Sequence, residues 1–183
     1  MRRCAVVTSL ICLAFPMLAA AQGTKLQLPS FAGLQGQATQ SVNISIGSLA
    51  LGAVGWLMDD SDPQSAQVKK AIQGLKSVQV RSYQFNSDFV YSQADVDAVR
   101  SQLSRPGWTQ LVQVRDRNKQ EAVDIYVALD NRQVTGLAII ASEPRELTIV
   151  NIAGALDLNQ VGKLQKALGL PDAGLDRIPQ NVP

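Results

Sequence analysis

Two carboxylates and a guanidinium crowd one short stretch of the chain, where Glu143, Arg145 and Glu146 surround Pro144. Carboxylate acid–base chemistry needs two acids whose surroundings drive their pKa values apart, one held protonated and one ionised. Arg145 offers a partner to either glutamate, or a fork for a small polar ligand. The competing account is structural: Pro144 fixes a turn between two strands and the charges keep it in water. A second acidic group, Asp59-Asp60-Ser61-Asp62, supplies oxygen ligands of the kind calcium takes. It lacks the alternating ligands, central glycine and distal glutamate of a calcium-binding loop. Asp62 followed by Pro63 is already explained as the start of a helix.

Other chemistries lack their side chains. The chain has no histidine, and its 2 cysteines, Cys4 and Cys12, fall in a segment expected to be removed. Thiolate and serine–histidine catalysis then have no nucleophile–base pair, and zinc, copper and haem have no ligands. Gly-x-Ser-x-Gly, Ser-x-x-Lys, P-loop and dinucleotide fingerprints are missing. Neither a metal nor another cofactor is expected, and the chain reads as non-enzymatic.

One segment stands out for its lack of chemistry. Residues 49–58 carry no charged or amide side chain, and include Leu49, Leu51, Val54, Trp56 and Leu57 with Gly52 and Gly55 between them. Ten apolar residues are too few to span a bilayer, and the default for such a run is a helix buried in the core. Left exposed, it would instead be an apolar patch that docks on a protein partner or on a membrane surface, with Trp56 suited to the interfacial layer. The outer face of the sheet around Tyr126 is the other candidate contact.

The elements that position these residues follow from periodicity. Pro29-Ser30 opens a short helix through Phe31 and Leu34, and residues 43–46 alternate as a short strand. Asp62 and Pro63 start a helix running to about Leu75, followed by a strand over 78–85. Ser92 and Asp95 form a capping-box-like start to a helix carrying Val96, Val99 and Leu103, which Pro106-Gly107 ends. From Trp108 the period becomes two, giving four strands over 108–115, 122–129, 134–141 and 147–152 joined by short turns. In the second of these Val123, Ile125, Val127 and Leu129 face inward while Asp124 and Tyr126 face out, implying one packed and one wetter face. A last helix starts at Asp157 and stops at Gly169 and Pro171. The predicted class is α+β: an antiparallel sheet of about five strands, ending in the four-strand meander, with helices packed on one face.

The first residues read as an address. Arg2 and Arg3 precede an apolar stretch over 5–18, and Ala19-Ala20-Ala21 has the small residues a signal peptidase accepts. The expectation is a signal peptide over 1–21 cleaved between Ala21 and Gln22, a single domain over 22–171 and a flexible tail over 172–183. Cys12 follows Ile11 rather than a small residue, so lipidation is not expected. Loss of Arg2 and Arg3 turns 17 basic and 15 acidic residues into 15 of each. A neutral chain with no basic block has no nucleic-acid footprint. No later segment is long enough for a transmembrane helix, and the expected compartment is the periplasm.

Several motifs, in order, resemble one family: Leu28-Pro-Ser-Phe31, residues 74–81 with Gly74 and Arg81, Tyr91-Ser-Gln-Ala-Asp95, Gly107-Trp108, and the run from Gly136 to Gly154. Together they are similar to the exported bacterial proteins grouped as domain of unknown function 4252. The resemblance implies a single envelope-targeted domain and brings no activity or functional residues with it.

Overall fold

The computed structural model describes residues 23–157, apart from 59, 60, 89 and 132. The expected leader with its cleavage point, the C-terminal helix after Asp157 and the tail lie outside these residues. The elements, in chain order, are α1 (Ala32–Gln35), β1 (Gln40–Gly47), α2 (Ser48–Leu57), α3 (Pro63–Ile72), β2 (Leu75–Gln84), α4 (Gln93–Leu103), β3 (Trp108–Asp116), β4 (Glu121–Asp130), β5 (Gln133–Glu143) and β6 (Glu146–Leu156). All strands join one sheet in the order β1-β2-β6-β5-β4-β3, and every neighbouring pair is antiparallel. β3 to β6 form the expected meander. β6 then lies at the centre, with β5 on one side and β2 on the other.

The α+β class holds, and two particulars of the expected architecture change. The described residues form six strands rather than about five, because β1 extends well beyond 43–46 and pairs with β2 along its length. Helices lie on both faces of the sheet, not on one. On β5, Leu137, Ile139 and Ala141 pack with Leu51 of α2 and Ile72 of α3, whereas Ala138 and Ile140 pack with Leu34 of α1 and with Val96, Val99 and Leu103 of α4. Alternate residues of a strand point to opposite faces, so the two sets form separate cores. A strand covered on both sides reads as an unbroken apolar run, which residues 137–141 are.

Each helix is shaped by its layer. The Ser92 hydroxyl accepts the Asp95 amide at 3.3 Å and the Asp95 carboxylate accepts the Ser92 amide at 3.1 Å, closing the capping box at the start of α4. Val96, Val99 and Leu103 then fall on one side of that helix and are fully or almost fully buried. Residues 24–26 are held over the same face by Asn151, whose amide oxygen accepts the Leu26 N–H at 2.9 Å and whose amide nitrogen donates to the Thr24 carbonyl at 3.1 Å. Gly136 makes that approach possible, since a Cβ there would lie 2.7 Å from Thr24 Cβ and 3.0 Å from the Trp108 ring.

Candidate functional site

Helix α2 holds the apolar run, and the structure turns most of it outward. Leu51 is buried against the sheet and Gly55 faces α3, where a Cβ would sit 3.4 Å from the Ile72 side chain. Leu49 is 91% exposed, Trp56 83%, Leu57 75% and Val54 40%. The default of a core helix is therefore corrected: a helix apolar on every side cannot bury more than the side its sheet contacts. No side chain caps its N-terminus. Among the described residues no helix is long and apolar enough to cross a membrane. The neighbouring helix brings Lys69 and Lys70 in its last turn, and Lys69 runs beside Gly55.

The acidic turn has a structural explanation. Glu143 pairs with Glu146 across the β5–β6 hairpin, and Pro144 and Arg145 form its two-residue loop. The Arg145 guanidinium lies 2.6 Å from the Asp88 carboxylate, and its carbonyl accepts the Phe85 amide at 2.9 Å. Glu146 accepts the Thr148 hydroxyl at 3.0 Å. Both glutamates border an open depression of about 630 Å³ with Gln84, Asn86 and Asp88. Tyr91 donates its phenol to the Glu143 carbonyl and lines a second groove. Burial pushes the Tyr91 phenol up to about 12 despite a hydrogen bond with Ser142 that lowers it, so the group is a protonated donor at neutral pH.

That second groove, of about 490 Å³, was not visible from sequence and contains the most organised polar cluster of the described chain. Behind it lies Asp124, expected to face outward on β4 and found with no exposed surface. One oxygen accepts Arg100 Nε at 3.0 Å and lies 2.9 Å from Arg100 Nη2. The other accepts Arg115 Nη2 at 2.6 Å and Gln110 Nε2 at 3.1 Å. The position does face outward, toward the face that α4 covers. Arg100 stands one residue past Val99 and reaches Asp124 as that helix packs. The pairing joins a helix to a strand 24 residues further along, so local periodicity carries no trace of it. Tyr126, the other outward residue of β4, is half-buried against the α4-side core. Burial raises its phenol, with the Asp124 charge adding to the effect.

The fold and these surfaces define a small α+β domain: one antiparallel sheet layered between short helices, with an apolar helix on one face and an arginine-lined groove on the other. Residues 37–164 match the family described as domain of unknown function (DUF4252), and the chain belongs to it. No curated protein and no solved structure matches the chain.

Proposed function

We propose that this protein is an exported, non-enzymatic binding module of the bacterial envelope, and that its contact is the outer face of α2 seated on a membrane surface. One observation carries it: Leu49, Trp56 and Leu57 stand almost fully in water on a helix with no charged or amide side chain. Burying a leucine or valine side chain contributes about 1.5–3 kcal/mol, so this face gains several by leaving water. Lipid is favoured over a protein groove because the face offers almost nothing to hydrogen-bond, whereas protein interfaces carry about one hydrogen bond per 100–200 Å². Trp56 suits the headgroup layer, and Lys69 and Lys70 flank the helix as basic residues flank interfacial helices. A periplasmic location fits the leader and the family resemblance.

The test is co-sedimentation of residues 22–183 with vesicles of phosphatidylethanolamine and phosphatidylglycerol, before and after a high-salt wash. Salt-resistant pelleting with a blue shift of tryptophan emission, absent in a Trp56→Phe variant, is expected, since a neutral chain binds by insertion. The triple variant Leu49→Ser, Trp56→Ser, Leu57→Ser should stay in the supernatant with an unchanged melting temperature. A wild-type protein that ignores vesicles, or a variant that pellets equally, ends the lipid assignment; a wild type that ignores vesicles but is crosslinked through α2 to an envelope protein moves it to a protein partner.

A further inference from the structure

We infer that the groove between α4 and the β3–β4 hairpin is a binding site for a small organic anion, a carboxylate or phosphate ester that also carries hydroxyl or amino donors. The inference rests on the opposite face from α2 and does not depend on the membrane assignment.

The groove is lined by Arg100, Arg115 and Arg117 together with Tyr91 and Ser142, and by the carboxylates Asp116 and Glu121. A buried ion cluster is seldom a gain in stability over apolar packing, because desolvating the charges offsets their attraction. Asp124 nevertheless sits on a strand whose opposite face is Val123, Ile125 and Val127, and it takes four donors from three side chains. Its evident effect is to hold two guanidinium groups still at the groove wall. Both remain partly open to solvent, Arg100 with 23% and Arg115 with 38% of its side chain exposed. Rigid guanidinium groups bind planar or tetrahedral oxyanions well because little freedom is lost on binding.

Charge accounting points the same way. Arg100 is shared between Asp124 and Asp97, the latter at 3.3 Å. Arg115 uses Nη1 and Nη2 on the protein, and its Nε–H has no partner among the described residues. Arg117 makes no hydrogen bond or ion pair with them at all. Asp116 directs one oxygen to the Asn118 and Lys119 amides of its own turn, at 2.9 and 3.1 Å. The open cationic valence is thus at Arg115 and Arg117. Glu121, beside them, is placed to accept from a ligand hydroxyl or amine. The groove volume falls within the 300–1,000 Å³ usual for small-molecule sites.

The experiment is NMR titration of the folded protein with glycerol phosphate and with malate, following the arginine Nε–H signals. At least one probe should give saturable shifts at Arg100 and Arg115, and which one does separates a phosphate from a carboxylate ligand. Arg117→Gln, at an exposed residue with no partner among the described residues, should keep its melting temperature and weaken binding about tenfold. Arg105→Gln removes the same charge outside the groove and should leave the affinity unchanged. Absence of saturable shifts with both probes, or equal weakening by the two substitutions, overturns the site.

Discussion

Helices α2 and α4 are of similar length and lie on opposite faces of one sheet, yet they relate to it in opposite ways. Every large apolar residue of α4 is buried, its N-terminus is closed by a capping box, and Arg100 is tied to the strand beneath. Helix α2 buries Leu51, lacks a side-chain cap and leaves Leu49, Val54, Trp56 and Leu57 in water. The side chains of α4 are explained by the fold that contains them. Those of α2 are not, and a residue type that folding does not require is where a contact with something else is to be sought.

The contrast is broken most severely by placing one charge in each layer. Val99→Asp puts an unpaired carboxylate in a fully enclosed site and should cost more than about 4 kcal/mol, enough to unfold the domain. Trp56→Asp should change stability by no more than about 0.5 kcal/mol. Thermal melts of the pair decide this, and a Trp56→Asp protein that unfolds would return α2 to the core. Next in size is Leu51→Ala, which removes the contact by which α2 holds the sheet. About 2–5 kcal/mol should be lost in denaturant unfolding, a value near zero meaning that α2 is held by something other than Leu51.

Smaller effects sharpen the difference. Ser92→Ala opens the capping box of α4 and should cost about 1 kcal/mol by the same unfolding measurement, whereas Ser48→Ala at the uncapped start of α2 should be neutral. Alkaline pH should loosen the α4 side first. The Tyr91 phenol titrates near 10 when unfolded and at about 12 in place, so the folded form retains the proton. The stability it contributes is intact below pH 10 and lost as pH rises toward 12. Amide exchange near Glu143 should accelerate across that window, and Tyr91→Phe should abolish the tyrosine-linked part of the change.

Much of this architecture was legible because the sequence states periodicity directly. The meander, the α4 capping box and the Asp62-Pro63 start of α3 stand where alternation and cap residues put them. Coverage was harder. Alternation tells which residues share a face, but not what lies over it, so by itself it puts Asp124 and Tyr126 on a wetter face, whereas α4 encloses that face. Residues 137–141 held the missing signal, an apolar run too continuous for a strand with one wet side. The α2 surface was half legible: the run was conspicuous, and its exposure depended on how little of a helix one sheet can contact. The Arg100–Asp124–Arg115 cluster was not legible at all, since its members meet only after a helix and two strands have packed.

The position of β6 sets an order on assembly. It is the last strand of the described residues and lies inside the sheet, so the β1–β2 pair has no inner neighbour until it arrives. The meander of β3 to β6 closes through short hairpins, whereas pairing Leu75 with Gly154 requires a loop containing α4 and three strands. Closing that longer loop costs more entropy, so the expected order is the local meander first and the N-terminal strands after it. A chain synthesised from its N-terminus therefore cannot complete this sheet until β6 has emerged. Until then the inner edge of β2 is unpaired, and β6 seals it on arrival.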